Sequence, residues 1–256
     1  MSEKIGVGIT TYNSENYFKA LYDSLPFDKI DELIVINGGD RYKDTYDKCD
    51  WIQHKSNKFP SVCRNDALRF LSGRGVDHYF LIEDDMIIKN PNIFDEYVAH
   101  SKASKIEYLC FASTSFGGGT PEKRTPKLTV EFTNNKKISM YPNMCNEFTY
   151  RSSQVLGTRG YYDENFRHIF DVINVYKICC DTNYATPFWW FPDISDSDNY
   201  IMNNPVSVSR LQSNNKREQE LPLEMEKFKK MFGYYINEIA KMDEKAVLTY
   251  LKAKFK

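Results

Sequence analysis

The sequence lacks both a long apolar run and a surplus of charge of one sign. No stretch of about 18 apolar residues occurs, so a transmembrane helix is not expected. The N-terminal residues lead directly into a predicted strand without an apolar signal segment, which favours a cytoplasmic location. The formal net charge of −1 argues against a general binder of polyanions.

Cysteine and histidine patterns typical of zinc sites are also missing. The six cysteines form no C-x-x-C pair, and the four histidines do not combine with them at zinc-ligand spacing. We therefore expect reduced thiols and no structural zinc ion.

The first hundred residues alternate between strand-like and helix-like segments. Strands are predicted at residues 5–12, 32–37, 51–54 and 78–83, with helices after the first, third and fourth of them. This order predicts a parallel sheet with covering helices. Polar clusters follow three of the strands, at residues 10–13, 37–40 and 83–85. Because ligands bind beyond the carboxyl ends of parallel strands, these clusters should converge on one crevice.

The remainder of the chain is less regular. A strand is predicted at residues 109–113, and a hairpin is predicted from residues 128–132 and 137–141 across Asn134-Asn135. Residues 186–198 read as loop. Two charged amphipathic helices are predicted at residues 220–240 and 243–255.

The sharpest chemical feature is the run Glu83-Asp84-Asp85 between apolar residues. Three adjacent carboxylates are costly to bury without partners. A hard divalent cation at the end of the strand would offset their repulsion. An exposed acidic turn that caps the next helix is the alternative interpretation.

This acidic run resembles the D-x-D region of GT-A-fold glycosyltransferases. Five other segments of the chain also resemble segments of that family and occur in the same order and at similar spacing. They are the opening strand at residues 7–14, the second strand at 32–40, Arg-Asn-Asp-Ala at 64–67, and the acceptor-side stretches at 150–157 and 160–166. The resemblance covers about residues 4–180. It implies an α/β protein with a Rossmann-like GT-A fold, which has a mostly parallel central sheet, helices on both faces and here a C-terminal helical extension.

The resemblance also implies a nucleotide-sugar site that depends on Mn2+ or Mg2+. Asp85 would bind the metal ion, and Glu83 or Asp84 would contact the ribose or the outer metal shell. Thr10 and Tyr12 would lie beside the nucleotide.

Two further donor-side positions depart from the family or stay ambiguous. The resemblance implies that Asn37 belongs to the nucleotide-binding site and faces the base, but the family usually has aspartates that face uracil there, and this departure leaves the donor base open. Arg64 would reach the diphosphate or the base, with a solvated helix charge as the alternative.

On the acceptor side the family has an acidic pair that supplies the catalytic base, and only Asp171 stands at that place here. A carboxylate base implies inversion at the anomeric carbon, with a helix cap or an ion-pair partner as the alternative role. Many relatives complete the metal shell with a C-terminal histidine, whereas the last histidine here is His168. Asp196 is the candidate replacement ligand, and a helix-capping loop is the alternative.

We expect residues 1–215 to form the catalytic domain, with a donor half at 1–105 and an acceptor half at 106–215, and residues 216–256 to form an extension packed on it. The predicted activity is transfer of a sugar from a nucleotide-sugar, with a UDP-sugar favoured, to a hydroxyl acceptor. Hydroxymethylated bases in phage DNA are one acceptor hypothesis, and a polysaccharide or a lipid-linked sugar is another. A non-catalytic nucleotide-sugar-binding domain is the competing class, and the oligomeric state is left open.

Overall fold

The computed structural model describes most of the chain. It covers residues 3–55, 58–112, 125–141, 147–169, 171, 173–175, 178, 191–204, 214–239, 242, 243, 246 and 249. Most of the predicted helix at residues 243–255 lies outside these ranges. In the described part, no helix is both long and apolar enough to cross a bilayer.

Eleven strands are seen within the described ranges. They are β1 (Ile5–Thr11), β2 (Glu32–Asn37), β3 (Asp50–Gln53), β4 (His78–Glu83), β5 (Met86–Ile88), β6 (Tyr108–Cys110), β7 (Leu128–Glu131), β8 (Lys137–Tyr141), β9 (Phe148–Ser152), β10 (Phe191–Ile194) and β11 (Ile201–Asn203). Six of them form the central sheet in the order β3-β2-β1-β4-β9-β6. β1 pairs in parallel with β2 and β4, and β2 with β3, whereas β9 is antiparallel to β4 and β6. The predicted α/β class with a mostly parallel sheet is confirmed.

Helices cover both faces of this sheet. They are α1 (Glu15–Ser24), α2 (Pro60–Gly73), α3 (Ile93–Ser104), α4 (Ser153–Arg159), α5 (Asn214–Phe232) and α6 (Ile236–Ile239). Alternate residues of β2 point to opposite faces, as the two-residue repeat of a strand requires. Leu33 and Val35 join a core with α1 and α3, whereas Ile34 and Ile36 join a second core with α2 and α5. Burial on both faces explains why the strand is a continuous apolar run.

Two glycines in β1 allow α2 to lie close to the sheet. A Cβ atom at Gly8 would stand 2.7 Å from the Cβ of Ala67, and one at Gly6 would stand 2.8 Å from Val76. At neither glycine is there room for a side chain. Because α2 returns from the carboxyl end of β3 to the start of β4, its first turns, including Arg64, lie at the carboxyl ends of the strands.

The structure confirms some predictions for the second half and corrects others. β7 and β8 form the predicted hairpin, with Asn134 and Asn135 in the left-handed region at φ 59° and 58°. β10 pairs with β8, so the prediction of a loop at residues 186–198 was wrong for Phe191–Ile194. β10 contains Pro192, which has no backbone N–H. The strand lies at the edge of the three-stranded sheet β10-β8-β7, where a missing N–H is tolerated.

The C-terminal helix also differs from its prediction. A single helix at residues 220–240 was expected, but α5 begins at Asn214 and ends at Phe232. Gly233 ends it with φ 84° and donates its N–H to the carbonyl of Lys229 at 2.6 Å, which is the usual role of a glycine after a helix. Phe228 and Phe232 are buried in the α2 core.

Candidate active site

The strand register brings the three polar clusters to one edge of the sheet. Thr10 lies beside Glu83 on one side, and Thr11 lies beside Asn37 on the other. The ends of β1, β2 and β4 therefore adjoin, and the predicted convergence of the polar strand ends is confirmed.

Asp84 is held against the end of β1. Its Oδ2 accepts hydrogen bonds from the hydroxyl of Thr11 at 2.5 Å and from the backbone N–H of Tyr12 at 3.3 Å. Loss of solvent raises the pKa of Asp84 to about 7; the bond from Thr11 opposes this shift, and the charge of Asp85 adds to it. The carboxylate therefore links the first strand to the acidic turn in a fixed orientation.

Tyr42 anchors the loop after β1, and nothing in the sequence marked it. Its hydroxyl contacts the hydroxyl of Thr11 and accepts from the N–H of Ser14 at 3.1 Å. Burial raises the pKa of Tyr42 to about 12, so the phenol stays neutral.

Asn37 shapes the neighbouring loop from the inside. Its side chain is 0% exposed, donates to the carbonyl of Asp40 at 2.8 Å and to Gln53 Oε1 at 3.0 Å, and accepts from the N–H of Gly39 at 2.8 Å. The expectation that Asn37 faces the donor base is therefore corrected, because its amide is buried and bonded within the loop. A Cβ atom at Gly39 would stand 2.1 Å from Asn13 Oδ1, so only glycine allows the two loops to meet.

Thr10 and Tyr12 lie at and just after the carboxyl end of β1. The ring of Tyr12 is 40% exposed, although many aromatic rings of this chain are buried. A Cβ atom at Gly38 would lie 3.8 Å from Cδ2 of Tyr12. An exposed ring beside a glycine is a suitable surface for stacking on a planar base.

Arg64 joins the acidic turn to Asp171. Its Nη2 donates to Glu83 Oε1, and its Nη1 donates to Asp171 Oδ1 at 2.6 Å. The Arg64 side chain is 2% exposed, whereas those of Glu83 and Asp171 are 37% and 17% exposed. Arg64 is therefore neither the solvated charge nor the free diphosphate ligand expected from the sequence. Instead, it fixes two carboxylates at the cleft.

Further contacts hold the acidic turn from the opposite side. Glu83 donates its N–H to the carbonyl of Glu147 at 2.8 Å, and Asn204 donates its N–H to the carbonyl of Asp85 at 2.7 Å. The amide of Asn203 donates to the Glu147 carboxylate. Loss of solvent raises the pKa of Glu83, Arg64 opposes this shift, and the charges of Asp85 and Glu147 add to it. Sequence reasoning missed Glu147 and Asn203, because neither belongs to a recognisable motif.

The carboxylate oxygens of the acidic turn are suitable ligands for Mg2+ or Mn2+. Asp85 is a buried carboxylate, 7% exposed, at the turn between β4 and β5. Within the described residues, no three His, Cys, Asp or Glu side chains gather as a complete ligand set. Mg2+ usually takes one or two carboxylates and completes its shell with substrate phosphates and water. Asp85 therefore fits a site in which the protein supplies one or two carboxylates to such an ion.

Asp196 lies away from that turn, which corrects the expected pairing with Asp85. β5 pairs with β11 so that Asn204 adjoins Asp85, whereas Tyr200 adjoins Lys89 at the far end of β5. At about 3.3 Å per residue, Asp85 and Lys89, which flank β5, are roughly 13 Å apart. Asp196 sits beyond the far end, where its charge acts on His100 and Tyr200. It occupies the N-cap position of a short 3-10 helix, but its side chain makes no capping hydrogen bond there.

Asp193, three residues before Asp196 in sequence, is structural. It is 0% exposed and accepts hydrogen bonds from the Tyr97 hydroxyl at 2.6 Å, the Ala112 N–H at 2.8 Å and the Ser197 hydroxyl at 2.6 Å. Burial raises the pKa of Asp193 to about 7, whereas these donors favour its charged form. Its carboxylate ties β10 to α3 and to the end of β6.

Replacing Arg64 with methionine is expected to destabilise the protein by about 3–5 kcal/mol. The change removes the shared cation and leaves Glu83 and Asp171 facing each other without compensation. Chemical denaturation at pH 7.5 measures the loss. The exposed Arg74, at the end of the same helix, provides the control Arg74→Met, for which a change within about 0.5 kcal/mol is expected. Equal stabilities for the two variants would contradict a bridging role for Arg64.

Comparison with solved structures shows which fold this is. The S. aureus TarS 1-349 structure in complex with UDP-GlcNAc matches with a TM-score of 0.65 and 17% identity, over 98% of this chain and 71% of that chain. The mannosyltransferase PcManGT from Pyrobaculum calidifontis, in complex with GDP-Man and Mn2+, matches with a TM-score of 0.57 and 10% identity, over 99% of this chain and 74% of that chain. No protein-family model and no curated sequence matches. The chain has the mixed α/β fold of GT-A glycosyltransferases.

Proposed function

We propose that the protein is a metal-dependent glycosyltransferase that transfers a sugar from a nucleotide-sugar, with a UDP-sugar favoured, to a hydroxyl acceptor. The observation that carries this proposal is the Arg64 bridge, in which one guanidinium binds both Glu83 and Asp171. It joins the acidic turn, where a donor diphosphate would be bound, to a partly exposed carboxylate suited to an acceptor hydroxyl.

In this proposal the donor lies across the carboxyl ends of β1, β2 and β4. Tyr12 stacks on the base, Thr10 lies beside the nucleotide, and Asp84 or Glu83 contacts the ribose. Asp85 would hold Mn2+ or Mg2+, which as a Lewis acid would stabilise the negative charge that develops on the leaving diphosphate. The TarS complex with UDP-GlcNAc and the mannosyltransferase complex with GDP-Man and Mn2+ support this class of donor and metal ion for the shared fold.

Asp171 acts as the general base. The acceptor oxygen attacks the anomeric carbon on the face opposite the diphosphate, and its proton passes to the Asp171 carboxylate. The bond between the anomeric carbon and the diphosphate oxygen breaks, and the nucleoside diphosphate leaves with the electron pair. The transition state resembles an oxocarbenium ion, as in glycoside hydrolysis, and the anomeric configuration inverts.

Thermal unfolding with a panel of nucleotide-sugars and Mn2+ tests the donor site. A ligand at about 100 times its Kd stabilises the folded protein by about 2.7 kcal/mol, and we expect a UDP-sugar with Mn2+ to give the largest shift in Tm. The same nucleotide-sugars with EDTA are the control, and we expect smaller shifts. Equal shifts with and without metal, or none with any donor, would contradict the proposed site.

The acceptor is tested separately from the donor. The hypothesis of a hydroxymethylated base predicts that radiolabelled sugar is retained on a filter with modified DNA. Label on a polysaccharide or a lipid-linked sugar would support the other hypothesis. Unmodified DNA is the matched control, because it offers the same charge without the hydroxyl group.

A further inference from the structure

The segment before Asp171, residues 162–169, packs between α2 and α5. On the α2 side, the Ser61 hydroxyl donates to the carbonyl of Phe166 at 3.0 Å, and the Asn65 amide donates to the carbonyl of Tyr162 at 3.0 Å. On the α5 side, Phe228 packs into the core that contains Phe166. The segment therefore has a fixed position relative to both helices.

One carboxylate of α5 binds three successive backbone N–H groups of this segment. Glu224 accepts from the N–H of Arg167 at 2.7 Å, from that of His168 at 2.9 Å and from that of Ile169 at 3.3 Å. Glu224 is 9% exposed, so these bonds are shielded from water. A buried carboxylate on consecutive N–H groups makes strong, charge-assisted hydrogen bonds.

A second carboxylate on the same face of α5 reinforces the clamp. Glu220, one helical turn before Glu224, accepts from Arg167 Nη1 at 2.7 Å and lies 3.1 Å from His168 Nε2. The guanidinium of Arg167 also stacks over the ring of Phe59, which immediately precedes α2. The two glutamates thus hold both the backbone and the side chains of this segment.

These N–H groups lead into the helical turn that carries Asp171. Ile173 donates its N–H to the carbonyl of Ile169 at 3.3 Å, so the turn starts at Ile169 and contains Asp171. The N–H groups of Arg167 and His168 precede the turn, and that of Ile169 lies at its N-cap position. A negative charge is favourable at the N-terminus of a helix. Glu224 therefore holds the backbone from which the turn starts, and with it the position of the Asp171 backbone.

We infer that α5 is a positioning element of the active site, in which Glu224 holds the Asp171 carboxylate at the acceptor hydroxyl. Arg64, on α2, orients the Asp171 side chain, and Glu224, on α5, fixes its backbone. This role rests on the proposed function, because it assigns a task in sugar transfer to a segment outside every motif of the sequence. Glu224 acts through Asp171 and touches neither the donor edge nor the acidic turn.

The test compares Glu224→Gln with Glu226→Gln, a control on the same helix whose exposed carboxylate accepts from the Tyr235 hydroxyl. Glutamine keeps the size of the side chain but loses one acceptor oxygen and the charge. We expect Glu224→Gln to lower kcat by roughly 10- to 100-fold, as a small misplacement of a catalytic group does, with the donor Kd unchanged. Glu226→Gln should leave both values at those of the wild type.

Two readouts separate positioning from a general structural role. In an Asp171→Asn background, Glu224→Gln should cause no further loss of kcat, because the two changes act on one group. Amide exchange at residues 167–169 should become roughly tenfold faster in Glu224→Gln, since a hydrogen bond to a charged group is weakened.

The possible results distinguish a failure of the positioning role from a failure of the proposed function. Unchanged amide exchange, or equal losses of kcat in the wild-type and Asp171→Asn backgrounds, would overturn the positioning role alone. Wild-type protein that turns over no nucleotide-sugar with any metal ion would overturn the proposed function, and the positioning role with it. Faster exchange together with a loss of kcat that depends on Asp171 supports both.

Discussion

Asp85→Asn is expected to lower metal-dependent turnover of the donor by roughly 100-fold or more. Asparagine has nearly the same shape but lacks the negative charge that holds a divalent cation. The metal supplies several kcal/mol of transition-state stabilisation, and about 2.7 kcal/mol corresponds to a factor of 100. Release of nucleoside diphosphate, measured across a titration of Mn2+, gives the result.

The same substitution should leave the metal-free protein as stable as the wild type or more stable. Asp85 crowds Glu83 and Asp84, and removing one of three like charges relieves their repulsion. A raised Tm with lost turnover would therefore identify a functional carboxylate. The matched control is Asp196→Asn, which should keep full turnover because Asp196 lies beyond the far end of β5. Wild-type turnover in Asp85→Asn would refute the proposed metal ligand.

Asp171→Asn is expected to reduce kcat by about 10²–10⁴ and to leave donor binding unchanged. A general base contributes about this factor, and asparagine cannot accept the proton of the acceptor hydroxyl. The amide oxygen can still accept from Arg64 Nη1, so the bridge to Glu83 is preserved in part. Calorimetric donor affinity together with single-turnover transfer separates binding from chemistry.

Asp163→Asn is the matched control for Asp171→Asn. Asp163 lies in the stretch at residues 160–166, shortly before Asp171, and its carboxylate accepts from the N–H of Asn165 at 3.0 Å in a surface turn. Its kcat should equal that of the wild type. If Asp171→Asn instead lost donor affinity at unchanged kcat, the carboxylate would belong to the donor site and the base would lie elsewhere.

The local sequence pattern predicted the structure correctly where the conformation of a residue depends mainly on its own strand or turn. The apolar runs of β1, β2 and β4 and the polar residues after them placed the cleft, because a strand buried on both faces needs apolar side chains throughout. The hairpin at Asn134-Asn135 was predicted for a similar reason, since few other residues tolerate a left-handed backbone. The same reasoning failed at β10, whose pairing with β8 depends on a partner about fifty residues away.

Side-chain roles were predicted less well than positions. Arg64 was expected at a phosphate or in water, but its guanidinium lies between carboxylates 19 and 107 residues away in sequence. Asn37 was expected at a base, but its amide faces its own loop. Residue type gives the chemistry that a group is capable of, whereas its partners depend on how distant segments pack.

The sequence by itself determined the class of fold and the edge of the sheet where chemistry is expected, because the alternation of buried strands and polar strand ends is encoded within short segments. Only the tertiary structure decided which carboxylates share that edge. Asp171 and Glu83 are both bound by Arg64, and Asp196 lies beyond the opposite end of β5. Glu224 binds the backbone that precedes the Asp171 turn. These arrangements arise from the packing of α2 and α5 on the sheet, since contacts between distant segments leave no periodic signal in the sequence.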